Sequence, residues 1–499
     1  MDERAASHEV ESGREPGLRR IQRIGLGAGL GVFVLLCLLP APAGLPLPAW
    51  RAAAVAVLMA LWWMTEAIPI PATALLPLVL FPVLGVASPA AAAAPYGNPL
   101  IYLFLGGFLI ALGMERWQLH RRLALTIIQA MGTRPARIVA GFMLASAALS
   151  MWISNTATAM MMLPIGVSVI ELVERPAAGD DPRHGRNFAV ALLLGIAYGC
   201  SIGGMGTLIG TPTNALLAAF LVDSYQLQLG FLQWMLVALP LVVAGLVLTW
   251  LVLTRLVFPL RVAEVPGSRE LVAGELAALG PMSTPEKKVA AVFALTAGLW
   301  VTQPLLERWV SGLSDTGIAV AGALLLFLLP AGGSDGGRLL DWTATSRLPW
   351  GVLLLFGGGL SLAAAINQSG LAGWIGGGVG ELSSWPLLAI VMLVALLIVF
   401  LTELTSNTAT AAAFLPVLAS VAGGLGRDPL LLLVPATLAA SCAFMLPVAT
   451  PPNAIVFGSG HISIPQMARA GVVLNLIFWV LVSATAWWLV PLVLGSATS

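Results

Sequence analysis

Long apolar stretches, broken only by Pro, Gly and short charged clusters, run along almost the whole chain. Their lengths predict membrane-spanning helices at about 24–43, 51–67, 72–90, 98–117, 188–222, 229–259, 289–310, 316–331, 350–366, 430–459 and 467–494. Two further stretches, 137–172 and 386–424, are too long for one crossing and carry a polar cluster halfway along. Each reads as a re-entrant hairpin, because a polar turn at membrane depth is tolerated only where it is buried in protein or lines a cavity. These segments are continuously apolar, whereas the strands of a membrane barrel alternate. The first run, 24–39, follows a basic stretch, but Pro40 to Pro48 offers no small-x-small cleavage site, so it reads as a first helix that starts in the cytoplasm.

Composition agrees with this pattern. The 499 residues are 59% apolar and 9% charged, with mean hydropathy +0.94 and net charge +1. There are 24 Lys and Arg with 23 Asp and Glu, 47 in all, where a soluble chain of this length would carry roughly 125. Disorder and nucleic-acid binding are excluded by the apolar content and the near-zero charge. The cations test the topology, since cytoplasmic loops collect them. With both hairpins returning to the side they entered, 21 of the 24 fall inside, in 4–23, 116–137, 175–186 and 255–288 and at Arg338, Arg347 and Arg469. Only Arg51, Arg308 and Arg427 fall outside, and a full crossing by either hairpin would invert everything after it. Cys37, Cys200 and Cys442 sit inside apolar segments and read as small hydrophobes.

The chain repeats itself. Ser154-Asn155-Thr156-Ala157-Thr158-Ala159 recurs 252 positions later as Ser406-Asn407-Thr408-Ala409-Thr410-Ala411. Leu163-Pro164 recurs as Leu415-Pro416 and Gly106-Gly107 as Gly358-Gly359 at the same offset. Trp63, Thr65 and Glu66 are echoed by Trp300, Thr302 and Gln303, and Gly210-Thr211-Pro212-Thr213-Asn214 by Ala449-Thr450-Pro451-Pro452-Asn453. Five spans and a hairpin in each half start the second copy on the opposite side of the membrane. Inverted repeats with interrupted helices mark a secondary transporter, whose site lies near the midplane between the repeats.

The repeated strings suit that role. Ser-Asn-Thr at a hairpin tip supplies hydroxyls and a carboxamide, which donate to anions and offer oxygens to a cation. The helix starting there points its positive end at the same place. Thr-Pro-x-Asn within a span removes a backbone donor and unwinds the helix, freeing carbonyls as hard ligands for a small cation. A single Ser-Asn-Thr would read as interhelical glue and a single Thr-Pro as a kink; two of each at inverted positions read as a binding site. The glycine runs 357–359 and 376–378 read as close helix packing, and Glu66 and Glu403 as intramembrane carboxylates that are functional candidates. No Lys or Arg lies in any of these clusters. An anion there must be balanced by helix N-termini, neutral donors and co-bound cations. A membrane enzyme is disfavoured, because His8, His120, His184 and His461 lie apart in the tail or loops. A channel is disfavoured too, because two hairpins closing on one site suit alternating access.

These motifs, with Thr65-Glu66-Ala67-Ile68-Pro69-Ile70-Pro71 and Leu355-Phe356-Gly357-Gly358-Gly359, resemble the divalent anion:sodium symporter family over residues 24–494. The resemblance implies an all-α membrane protein of about eleven transmembrane helices plus two re-entrant hairpins, an elevator mechanism and a homodimer. It implies sodium as the co-transported ion, with no organic cofactor. One sodium site would involve Ser150, Ser154, Asn155 and Gly210, and a second Thr402, Thr405, Asn407 and Ala449. Substrate carboxylates would meet Ser154, Asn155, Thr156 and Thr211 from one half and Asn407, Thr408, Thr450 and Pro451 from the other. The resulting division is a tail at 1–23, scaffold at 24–136 and 289–385, transport domain at 137–259 and 386–494, and a cytoplasmic linker at 260–288. Thr211 stands where Ser is frequent, Thr213 where Pro is frequent, and Thr405 where small residues vary. Sulfate-transporting relatives tend to vary one Ser-Asn-Thr and sodium-independent exchangers to replace sodium ligands. Neither change occurs here, so the expectation is sodium-driven uptake of succinate, malate or fumarate across a bacterial inner membrane.

Overall fold

The computed structural model describes residues 16–174, 182–260, 265, 267–332, 337–378 and 384–495. The cationic segments expected at 1–15, 175–181 and 261–264 lie outside these residues. The first half runs α1 (Pro16–Leu38), α2 (Leu47–Thr65), α3 (Ile70–Thr73), α4 (Leu76–Val83), α5 (Pro89–Ala93), α6 (Pro99–Arg116), α7 (Leu119–Met131), α8 (Pro135–Ser150), α9 (Asn155–Glu174), α10 (Pro182–Gly204), α11 (Pro212–Tyr225) and α12 (Phe231–Leu251). After α13 (Ser268–Ala278) in the linker, the second half runs α14 (Thr284–Leu306), α15 (Asp315–Leu328), α16 (Trp350–Gln368), α17 (Leu371–Gly378), α18 (Leu387–Leu401), α19 (Asn407–Gly424), α20 (Leu430–Ala440), α21 (Pro451–Phe457), α22 (Ile464–Ala484) and α23 (Val490–Leu494). Among the described residues nine helices are long and apolar enough to cross a membrane. The fold is all-helical, as expected.

Three expected spans are interrupted. The stretch 72–90 breaks at Ala74 and Leu75 into α3 and α4, with Pro71 and Pro77 in the first turn of each, where the donor that proline lacks is not needed. The stretches 188–222 and 430–459 break at residues 205–211 and 441–450, just before the two Thr-Pro steps. Each hairpin is two helices joined by a short turn, 151–154 between α8 and α9 and 402–406 between α18 and α19. With 16 and 15 residues, α8 and α18 rise about 24 and 22 Å, short of the roughly 30 Å hydrocarbon core.

Two helices stand where loops were expected. A 13-residue α7 follows α6, and α17 stands in the corresponding place after α16. Leu119 and Leu371, their first residues, are 252 positions apart, the spacing of the Ser-Asn-Thr strings. The preceding residues match as well: Gln118 has φ 59° and Gly370 φ 89°. Both halves therefore turn from a long helix into a short one through a left-handed residue.

Linker helix α13 is held to the first half by Arg121 on Glu275 and by Val265 N donating to Thr133 O, 3.2 Å. Arg122 Nε reaches Glu286 of α14 at 2.5 Å. In the second half, Gly357 and Gly358 do pack closely, whereas of 376–378 only Gly376 does, Gly377 and Gly378 having open space around them. A Cβ on Gly358 would lie 2.3 Å from Ala74 O, and one on Gly357 2.2 Å from the Tyr96 ring. Glu66 is the exposed C-cap of α2, in the left-handed region (φ 46°), its N–H donating to Trp62 O.

Candidate functional site

Both unwound segments are tied back by the asparagine of their own Thr-Pro-x-Asn motif. Asn214 Nδ2 lies 2.7 Å from Thr207 O, 3.2 Å from Gly204 O and 3.3 Å from Met205 O. Asn453 Nδ2 donates to Ala443 O at 3.1 Å and Leu446 O at 3.0 Å. The freed carbonyls are thus partly taken by the motif itself, a use that the spacing did not disclose. Thr211 and Thr450 stand at the N-cap positions of α11 and α21 in the extended conformation that precedes a helix. Thr450 spends its oxygen on Asn453 N at 3.3 Å, whereas Thr211 caps nothing.

At the first hairpin tip, Ser154 Oγ accepts from Ala157 N at 3.2 Å, and Asn155 opens α9. Asn155 Oδ1 and the Ser150 hydroxyl are both enclosed without a hydrogen-bond partner. The glycines opposite show how closely oxygens gather. A Cβ on Gly204 would lie 2.7 Å from Asn155 Oδ1 and 3.1 Å from Gly210 O, and one on Gly210 2.4 Å from Gly204 O and 3.0 Å from Ser150 O. Oxygens of Ser150, Asn155, Gly204 and Gly210 therefore gather in one small region between the tip and the unwound segment. Hydroxyl, carboxamide and carbonyl oxygens of this kind are the donor set of a hard cation.

The second tip is its counterpart with different internal bonds. Thr402 Oγ1 shares its proton between Asn407 Oδ1 (2.7 Å) and Ala440 O (2.8 Å). Thr405 Oγ1 lies 2.9 Å from Leu401 O and 2.6 Å from Thr410 Oγ1. Ala449 is buried at the end of the unwound segment, and Thr156, Asn407 and Thr408 are half-buried; Ser154 and Pro451 are exposed.

Glu403 braces this second segment. Its Oε1 accepts from Phe444 N (2.7 Å), Met445 N (2.9 Å) and Asn475 Nδ2 (2.8 Å), and Oε2 from Met445 N (3.0 Å) and Leu446 N (3.1 Å). The first half has Met151 in that place, 252 positions earlier. There the brace is reversed, with the Thr207 hydroxyl donating to Met151 O. Asn475 on α22 escaped the sequence reading, since a lone Asn in an apolar helix carries no pattern.

Helices α10 and α11 of the first half meet the unwound segment of the second. Thr213 Oγ1 lies 3.0 Å from Ser441 Oγ, and the Tyr198 hydroxyl donates to Phe444 O at 2.6 Å. Among the described residues, no hydrogen bond links one Ser-Asn-Thr string to the other. No Lys or Arg falls within 150–158, 202–214, 402–410 or 441–453.

A family described as the sodium:sulfate symporter transmembrane region matches residues 22–494. The sodium-dependent dicarboxylate transporter SdcS of Staphylococcus saprophyticus is 45% identical over 447 residues, covering 89% of this chain and 86% of the relative. Its namesake in Staphylococcus aureus strain USA300 is 44% identical with the same coverage. Among solved structures, the YdaH transporter of Alcanivorax borkumensis shares the fold, with TM-score 0.51 and 15% identity over 89% of this chain and 98% of that one. By the family match and these relatives, the chain belongs to the sodium:sulfate symporter family, the divalent anion:sodium symporters.

Proposed function

We propose that this protein is a sodium-coupled carrier of C4 dicarboxylates such as succinate, malate and fumarate. The observation that carries the reading is the pair of oxygen-lined tips, Ser150, Asn155, Gly204 and Gly210 in one half and Thr402, Asn407 and Ala440 in the other, with no basic side chain beside them. A dianion held between the tips has no fixed positive charge to meet it, so cations bound at the tips supply what the helix N-termini of α9 and α19 do not. One sodium ion is assigned to Ser150, Ser154, Asn155 and Gly210 and a second to Thr402, Thr405, Asn407 and Ala449. The carboxylates are assigned to Ser154, Asn155, Thr156 and Thr211 on one side and Asn407, Thr408, Thr450 and Pro451 on the other. The names of the staphylococcal relatives support sodium and dicarboxylate as the cargo.

The same reading places the protein in a bacterial inner membrane as a homodimer, with the start of α1 cytoplasmic and the end of α23 periplasmic. The hairpins and the broken helices α10–α11 and α20–α21 travel as an elevator against a scaffold of residues 24–136 and 289–385.

The test is uptake of radiolabelled succinate by the purified protein in liposomes. An inward sodium gradient is expected to drive accumulation, and malate and fumarate to compete better than citrate or sulfate. Asn155→Ala and Asn407→Ala should each abolish sodium-stimulated uptake while leaving a folded protein. Succinate counterflow without sodium would identify an exchanger instead, and unchanged uptake in both variants would refute the site.

A further inference from the structure

Asn214 and Asn453 lie 239 positions apart, at the same place in the two halves, and both are entirely buried. The carbonyls they hold stand in the same relation to them. Asn214 reaches back ten residues to Gly204 and seven to Thr207, and Asn453 ten to Ala443 and seven to Leu446. Two unwound segments of different sequence, one braced by Glu403 and one through Thr207, nevertheless keep this one arrangement.

The held segments end at the proposed cation sites. Gly204, whose carbonyl Asn214 approaches, is also the residue whose Cα faces Asn155 Oδ1 and Gly210 O. The backbone between them closes only through short bonds, Met205 N to Ile202 O, Gly206 N to Gly203 O and Gly210 N to Thr207 O, at 3.2, 2.8 and 3.4 Å. Such turns leave several registers open to the segment, and the carboxamide selects one by engaging carbonyls at both of its ends. The amide hydrogens point at carbonyl oxygens, so this end of the side chain is a donor to the loop and not a ligand.

We propose that Asn214 and Asn453 are positioning residues for the two cation sites, each clamping the unwound segment that leads to Gly210 or Ala449 in the register that brings its oxygens to the cation. The inference rests on the sodium-coupled reading above and adds residues outside the proposed ligand sets.

Sodium dependence of succinate uptake by liposome-reconstituted Asn214→Ala and Asn453→Ala tests it. The half-saturating sodium concentration is expected to rise about tenfold or more, as for other residues that orient ligands. At saturating sodium, succinate KM should shift by less than about twofold and the maximal rate should recover. Asn98→Ala is the structural control. Asn98 Oδ1 accepts from Leu100 N at 2.9 Å at the start of α6, so its loss should lower thermal stability and leave the sodium dependence alone. Serine variants, whose hydroxyl is too short to span both carbonyls, replace alanine variants that aggregate. Wild-type sodium dependence in the folded variants overturns the inference. Aggregation of every variant while Asn98→Ala folds also overturns it, because the two asparagines then serve the fold alone. If wild-type uptake ignores sodium, the proposed function falls and the inference with it.

Discussion

At the second hairpin tip, one carboxylate holds three consecutive backbone N–H groups and a side-chain amide. Glu403 was marked by the sequence as an intramembrane acid beside Ser-Asn-Thr, but its partners lie about 40 and 72 residues further on, at 444–446 and Asn475, where no local pattern points to it. The same limit applies to Thr-Pro-x-Asn. Spacing shows that a carboxamide is present and that a helix unwinds, whereas which end of the carboxamide is used depends on how the chain folds back. The consequence for Glu403 is specific. A glutamine keeps the shape but turns an NH2 towards donors that then lack an acceptor, so Glu403→Gln should cost about 1–3 kcal/mol of stability. Thermal unfolding in detergent measures this, with Met151→Leu at the equivalent place in the first half expected to be nearly neutral because the hydrogen bonds there are made by its backbone and the swap keeps an apolar side chain of similar size.

The elements that the sequence foretold are those whose apolar length exceeds anything a soluble protein needs, together with breaks at prolines. Helices α7 and α17 were missed for opposite reasons. In α7, Leu119, Ala124, Leu125 and Ile128 are buried on one side, but His120, Arg121 and Arg122 give the stretch the look of a cytoplasmic loop. In α17, only eight residues are present and four are glycine. The 252-residue offset would have exposed both, since it pairs Leu119 with Leu371. The turn into α17 makes a prediction of sign. Gly370 sits at φ 89°, where a side chain is strained, whereas Gly377 lies inside the helix with open space around it. Gly370→Ala should therefore destabilise by about 1–2 kcal/mol, and Gly377→Ala should stabilise by up to about 1 kcal/mol. Equal effects from the two, in the same thermal unfolding assay, would contradict the assignment of the left-handed turn.

For the whole molecule, the scarce cations do two things at once. Their distribution along the chain predicts which loops are cytoplasmic, and the four ion pairs among the described residues all draw on cations assigned to that side. Arg116 pairs with Asp341, Arg121 with Glu275, Arg122 with Glu286 and Arg347 with Glu115. Two of these pairs join the end of α6 to the 341–347 turn, so they tie the first half to the second. The Asp341 carboxylate makes its contribution visible through pH. The Thr343 hydroxyl, the Arg116 guanidinium and the Ala344 N–H hold the Asp341 carboxyl down at about 2 from an ordinary 3.8. A carboxylate lowered on folding contributes stability that is fully present above its unfolded value and is lost as pH falls through the folded one. Stability from this group should then be flat from neutral pH down to about 4 and decline between about 4 and about 2. Asp341→Asn should remove that part of the acid dependence, and the difference between the two unfolding curves should vanish below the lower limit. Because the Asp341 side chain is about half exposed to solvent, raising salt should shrink the same difference at neutral pH, which separates a screened surface pair from a loss of packing.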